Sequence, residues 1–369
     1  GTNYSNEGGW FDGDKIRFRN GLPERIGGWV RVSNTQVTGT PRKIFDFVTL
    51  SSQNLLFIGT EQKVFLENAG TFNDITPIRS TVSLGANPVN TSGGAGSGVV
   101  TITTQAAHGA TSGDFVTLAS LTTTDGITAA QLNIEHKITS VPSTTTFTIT
   151  TAGSATSGGA AGGGSSGTAA FQLNIGLNTT VLGAGWGAGT WGRFTWGSAA
   201  GSLSGQTLRL WSVDNFGEDL LFNNMDGSIF YWDATNGTST RGVLLSSLTG
   251  ASDVPVVARK ILVSDVDRHV IVFGTNPIGS VTLDPLLIRF GSQESLTDFT
   301  PSAENTAGDL RLSKGSEIIT AIQTSRQILV FTDQSLYTMQ FLGPPFTFGV
   351  SLLGDKPYLA VFVTLFLMT

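Results

Sequence analysis

Four stretches of the chain repeat one pattern: a short apolar strand with a Phe near its end, a polar turn, and a second apolar strand. The first runs Leu55-Leu56-Phe57-Ile58-Gly59-Thr60-Glu61-Gln62-Lys63-Val64-Phe65-Leu66. The second runs Leu220-Leu221-Phe222-Asn223-Asn224-Met225-Asp226-Gly227-Ser228-Ile229-Phe230-Tyr231. The third, Val270-Ile271-Val272-Phe273-Gly274-Thr275, reaches Leu286-Leu287-Ile288-Arg289-Phe290 after a longer turn, and the fourth is Ile328-Leu329-Val330-Phe331-Thr332-Asp333-Gln334-Ser335-Leu336-Tyr337. One hairpin recurring along one chain marks stacked or radial β repeats. Such repeats build scaffolds and rings more often than they dictate a reaction.

Two other patterns flank the repeats. Lys15, Arg17 and Arg19 alternate with Ile16 and Phe18, which predicts a strand with one basic face, and Asn20-Gly21 predicts a tight turn after it. From about residue 84 to 170 charge nearly vanishes: Lys137 is the only base, and Asp114, Asp125 and Glu135 are the only acids. Strand-like pieces are expected there at Val99–Thr103, Asp114–Leu118, His136–Ser140 and Thr146–Thr150. The runs Ser92–Gly98 and Gly158–Gly167 read as flexible linkers around them. The repeated phrase occurs on both sides, so this segment reads as an insertion. The expected fold class is all-β: a β-propeller with an inserted small β domain. Residues 1–80 hold the N-terminal strands and the first part of the propeller, 81–170 the inserted small β domain, and 171–369 the remainder of the propeller.

Composition supports an all-β reading. With 47 Gly, much Ser and Thr, and only 13% charged residues, helix formers are scarce, while Val, Ile and Phe suit a pleated surface. The formal net charge of -6 offers no basic footprint for tight nucleic-acid binding. An acidic wall does suit DNA that must pass without sticking, because like charges repel. The absence of Cys excludes disulfides and thiolate metal sites. No stretch approaches the roughly 20 apolar residues of a membrane helix, so no membrane anchor is expected.

Candidate chemistry is sparse. His108, His136 and His269 lack ligand spacing and read as surface or turn residues. Asn224-Met225-Asp226-Gly227 resembles a fragment of a calcium loop, but Tyr231-Trp232-Asp233 follows where the distal Glu is needed. It reads instead as a hairpin turn with Asp226-Gly227 at positive φ. The pair Glu218-Asp219 has the residue types of glycoside cleavage, whose geometry a sequence does not show. Gly183–Gly189 is not followed by a helical period, which removes the phosphate-loop reading. No catalytic residue, metal or cofactor is expected.

The opening Tyr4-Ser5-Asn6-Glu7-Gly8-Gly9-Trp10-Phe11-Asp12-Gly13-Asp14-Lys15-Ile16-Arg17-Phe18-Arg19-Asn20-Gly21-Leu22-Pro23-Glu24-Arg25-Ile26-Gly27-Gly28-Trp29 resembles the N-terminal region of tail nozzle (tail tubular) proteins of short-tailed bacteriophages. The insertion looks similar as well, in His108-Gly109-Ala110, Gly113-Asp114-Phe115-Val116-Thr117, Leu132-Asn133 and Thr146-Phe147-Thr148-Ile149. So does Phe341-Leu342-Gly343-Pro344-Pro345-Phe346-Thr347-Phe348-Gly349. These motifs are long but built from turn and core residues, and the resemblance runs to about residue 350. The resemblance implies a virion protein of the tail, a propeller-based subunit forming a ring, hexameric in that family. Its implied partners are further copies of itself, an adaptor ring protein, tail fibres or a needle, and viral DNA passing through the channel without sequence-specific binding. The family is structural, so no catalytic residue carries over.

Tyr358–Met368 departs from that pattern, and such an apolar run at a free terminus would be an aggregation hazard. The chain is therefore expected to be incomplete there, and the missing Met at position 1 suggests the same of its start. The functional expectation is a tail nozzle subunit, with Lys15, Arg17 and Arg19 as a possible subunit interface. The alternatives are a receptor- or glycan-binding propeller of a virion or cell surface, and a propeller enzyme that hydrolyses glycans.

Overall fold

The computed structural model describes residues 14–28, 33, 35–180, 208–265, 267–343 and 346–355. Gly183–Gly189, Tyr358–Met368, and residues 4–13 and 29 of the opening motif lie outside them. The chain divides into two units, residues 1–36 and 37–369.

In the first unit, β1 (Ile16–Arg19) pairs antiparallel with β2 (Leu22–Arg25), Arg19 facing Leu22. Asn20 and Gly21 take φ of 52° and 77°. Positive φ at both central residues is what a two-residue type I′ hairpin requires, and Asn-Gly supplies it with little strain.

The second unit contains four sheets of one design. The first consists of β3 (Pro41–Val48), β4 (Asn54–Thr60), β5 (Val64–Asn68) and β6 (Thr71–Asp74). After it comes an eight-stranded sheet of β7 (Ile78–Gly85), β8 (Val89–Asn90), β9 (Val99–Thr103), β10 (Phe115–Ala119), β11 (Glu135–Ser143), β12 (Thr146–Thr150), β13 (Ala161–Gly162) and β14 (Gly167–Gln172). The second four-stranded sheet is β15 (Trp211–Phe216), β16 (Asp219–Asn224), β17 (Ile229–Trp232) and β18 (Val243–Leu244). The third is β19 (Ala258–Val263), β20 (Val270–Thr275), β21 (Asp284–Phe290) and β22 (Gly308–Arg311). The fourth is β23 (Ile318–Gln323), β24 (Ile328–Thr332), β25 (Ser335–Gly343) and β26 (Thr347–Asp355). Each of the four is an antiparallel meander in chain order. The repeated phrase forms the second and third strands in every one: β4–β5, β16–β17, β20–β21 and β24–β25. Helix among the described residues is confined to short turns, so the all-β expectation holds.

Strand period explains why these phrases are apolar on both faces. Successive side chains point to opposite sides of a sheet. Leu220, Phe222, Phe230 and Trp232 join Leu55, Phe57, Val64 and Leu66 in one core, between the first and second sheets. Leu221 and Ile229 join Ile261, Val263, Val270 and Val272 in another, between the second and third. Ile271, Phe273 and Ile288 meet Ile318, Ile328 and Val330 in a third. A strand covered on both faces reads as a continuous apolar run, not an alternating one. The rings of Phe57 and Phe222 meet across the first seam with centroids 5.5 Å apart. Each such buried Phe contributes about 2–3 kcal/mol from removal of its surface from water.

The eight-stranded sheet has the order β13-β8-β9-β12-β11-β10-β14-β7 and its own core, including Val100, Ile102, Val116, Leu118, Phe147 and Phe171. The four expected strands are there. Its entering strand β7 and leaving strand β14 pair with each other, so the chain departs beside the point where it entered. The glycine-rich runs are not linkers. Ser92–Gly98 joins β8 to β9 inside the sheet, and Gly158–Gly167 contains β13. The Asp125 carboxylate ties the second run down, accepting from Thr91 Oγ1 (2.8 Å), Ser157 Oγ (2.8 Å), Ser157 N (3.0 Å) and Gly158 N (2.8 Å). These hydrogen bonds, that from Thr91 first, hold its pKa down to about 2.

Candidate functional site

The first strands β3, β15, β19 and β23 each pair on one side only, with the second strand of their own sheet. Each therefore leaves a row of backbone groups without a ladder partner, which need satisfaction where they are buried. Polar side chains from the neighbouring sheet supply it. Ser212 Oγ accepts from Ile261 N (3.1 Å) and donates to Ile261 O (3.1 Å). Asp214 Oδ2 accepts from Val263 N (2.8 Å). Asn223 Nδ2 donates to Ala258 O (2.8 Å). Across the first seam, Trp211 Nε1 donates to Thr60 O (2.8 Å), and its ring covers Gly59 so closely that a Cβ there would lie 2.5 Å from Cδ1.

Side chains from all four first strands converge on a cavity of about 540 Å³. Its polar lining includes Arg42 and Lys43 of β3, Ser212 of β15, Arg259 and Lys260 of β19, and Thr320 of β23. Asp226 and Glu317 also face it. Both of these carboxylates are taken by Arg259: Nε and Nη2 bind Asp226 at 2.8 and 3.0 Å, and Nη1 binds Glu317. Lys260 Nζ donates to Thr320 Oγ1 at 2.8 Å. Burial first, and then repulsion from Lys43, pushes the Lys260 pKa down to about 8, against the pull of Asp214. Burial pushes Asp214 the other way, up to about 6.

A second charged cluster joins the eight-stranded sheet to its neighbours. Lys63 binds Asp74 (2.8 Å) and Glu135, while Arg241 reaches Asp74 (3.3 Å), Glu135 (3.4 Å) and Thr76 O (2.7 Å). Burial opposes the charge on Asp74, but Lys63 and Arg241 outweigh it and keep its pKa below the usual carboxylate value.

The residues singled out from sequence fall mostly into structural roles. The three histidines are buried, not at the surface. His108 stacks on Phe171 and meets Phe147 edge-on, and its Nδ1 accepts from Ala110 N (3.0 Å). His136 Nε2 contacts Leu132 O (3.0 Å), and His269 Nε2 contacts Thr306 Oγ1 (3.0 Å). Their aromatic and aliphatic neighbours, invisible in the linear sequence, account for the burial. Asp226 has φ of 58° as the turn predicts, but Gly227 has no positive φ, and Asp226 is spent on Arg259. Asp219 accepts from Tyr231 Oη (2.7 Å) and Ala234 N (3.0 Å), whereas Glu218 accepts from Leu50 N (3.2 Å), so the pair does not act as a unit. Among the described residues no cluster of His, Asp and Glu has a metal-holding arrangement.

In the hairpin unit, Arg17 and Arg19 lie exposed on β1, and Lys15 precedes the strand with φ of 58°. Arg17 pairs with Glu24 opposite it on β2 (3.2 Å), which cancels part of the expected basic face. Sequence reading missed the cavity entirely. Its members come from four strands spread over more than two hundred residues, and the only local signal was an Arg-Lys pair near the start of β3 and again of β19, Arg42-Lys43 and Arg259-Lys260.

No family model matches the chain, and no curated protein matches it. Among solved structures it is similar to the phage phi92 endosialidase, at 11% identity and a TM-score of 0.24. That likeness covers 87% of this chain and 44% of the endosialidase chain, so this chain spans less than half the length of that protein.

Proposed function

We propose that this chain is a structural virion protein, a tail nozzle subunit whose ring closes a short tail and conducts the genome during ejection. The four meanders are then blades of one β-propeller, and Ile78–Gln172 is a module inserted between the first two. The observation that supports this most is what the resembling motif residues do. Asp114 accepts from Thr111 N (2.7 Å) and Ile175 N (2.7 Å), fastening the insertion to the chain that leaves it. Asn133 accepts from Leu121 N and donates to Leu121 O, both at 2.8 Å. Phe147 and His108 fill the core of the same sheet. Residues spent on architecture suit a scaffold, and a genome channel needs subunits that close around a rotation axis.

The basic residues Lys15, Arg17 and Arg19 are assigned to the subunit contact, against an acidic face of a neighbouring copy or tail protein. Reversing all three to Glu weakens ring or tail assembly, most strongly at low salt. Because Arg17 faces Glu24, a companion variant with Glu24→Arg keeps the hairpin pair and isolates the effect between subunits. Native mass measurement and electron microscopy of particles read the result. Unchanged rings and normal tails would remove the interface assignment, and a monomer in intact particles would remove the nozzle reading. A receptor- or glycan-binding propeller then becomes the better account.

A further inference from the structure

The cavity between the four first strands carries a charge excess that the described residues do not neutralise. Four cations line it, and its two carboxylates are both spent on Arg259. Arg42, Lys43 and Lys260 have no carboxylate within 4.0 Å among the described residues. Glu61 acts on Arg42 and Asp214 on Lys260 only from beyond that range. Arg42 uses Nη2 on Asn178, while its buried Nε has no partner. Residues 181–207, which connect two lining positions, Thr180 and Leu208, contain neither Asp nor Glu. The counter-charge is therefore not supplied by that connection, in a chain whose acids outnumber its bases overall.

Holding like charges together out of water costs free energy unless a partner offsets it. Here the Lys43 ammonium is close enough to repel the charge on Lys260, and the hydroxyl of Thr320 stands beside Lys260. Much of the remaining wall is apolar, from Leu208, Leu210, Val213, Met225 and Ile319. A volume of about 540 Å³ lies within the ordinary range for small-molecule sites, about 300–1,000 Å³. We propose that this cavity binds a small organic anion, a carboxylate or phosphate on a sugar-sized body, with Arg42, Lys43 and Lys260 holding the anionic group. The site is independent of whether the chain builds a tail.

The test is calorimetric titration of the full chain with glucuronate, glucose 6-phosphate and inorganic phosphate, with glucose as the neutral control. At least one organic anion binds and glucose does not, and the two charged sugars tell carboxylate from phosphate. Lys43→Gln and Lys260→Gln each weaken binding roughly tenfold, the factor that corresponds to about 1.4 kcal/mol, and Lys260→Arg restores most of it. Circular dichroism melts identify any variant that has lost its fold, in which case Lys43→Arg and Lys43→Gln decide alone. The proposal is overturned if no anion binds at millimolar concentration. It is equally overturned if glucose binds as well as the charged sugars, or if folded glutamine variants bind like the parent.

Discussion

The carboxylate of Asp214, on the first strand of the second sheet, accepts a hydrogen bond from the backbone N–H of Val263, on the first strand of the third sheet, 2.8 Å away. Neither strand has a ladder partner on that side. A side chain thus does the work of a missing strand, and it does so with a group that burial makes reluctant to ionise.

That reluctance sets a pH dependence. The Asp214 pKa rises from 3.8 to about 6 in the fold, so the folded state binds this proton more tightly than the unfolded chain. Its contribution is most favourable below pH 3.8, declines between 3.8 and about 6, and is fully lost above 6. Asp214→Asn keeps an oxygen for Val263 and flattens this component; against the parent it gains most at pH 7 and least at pH 4. Asp214→Ala leaves Val263 N unpaired and costs about 1–3 kcal/mol. Urea melts at the two pH values check both.

Lys260 works in the opposite sense. Its pKa falls from 10.5 to about 8, so charging it is harder in the folded chain. The penalty is complete below pH 8, shrinks as pH rises from 8 to 10.5, and is gone above that. Lys260→Met should therefore raise the midpoint of thermal unfolding at pH 7 and change little at pH 10.5. A lower midpoint at pH 7 would show that the aliphatic packing and Thr320 bond of Lys260 outweigh its charge.

Glu135 is the link between the eight-stranded sheet and the ion cluster. Its loss leaves Lys63, whose side chain is only 6% exposed, with Asp74 alone. Glu135→Ala should cost about 1–3 kcal/mol, less than the 3–5 kcal/mol of a fully orphaned buried charge. Removing Lys63 as well, as Lys63→Met/Glu135→Ala, recovers part of that loss. Additive losses in the double-mutant cycle would show that the two residues are not coupled.

Gly59 faces Trp211 across the first seam with no room for a Cβ. Gly59→Ala should displace the indole and strain the Trp211 to Thr60 bond, at about 1–3 kcal/mol. A melt unchanged from the parent, with unchanged Trp fluorescence, would mean that the seam gives way freely.

Hairpins follow from local rules, and these were legible. Asn20-Gly21 allows positive φ at two successive residues, so the turn and the pairing of β1 with β2 depend on nearest neighbours alone. The repeated phrases were legible for a related reason: strands covered on both faces need apolar residues at every position, as in Leu220-Leu221-Phe222. Glycine-rich runs were misleading, because Gly158 and its neighbours are ordered by Asp125, a residue more than thirty positions away.

Sequence by itself determined the four repeated hairpins and the turn of the N-terminal hairpin, which rest on periods of two residues and on turn chemistry. Only the tertiary structure decided which polar residues matter. Ser212, Asp214 and Asn223 look like ordinary strand residues until β19 is placed beside them, and His269 looks like a turn residue until Phe341 and Phe348 close over it. Lys43 and Lys260 are separated by more than two hundred residues, and nothing local to either records the other. Burial and Coulomb interactions depend on distance in space, so the charge excess of the cavity exists only once four first strands have been brought together.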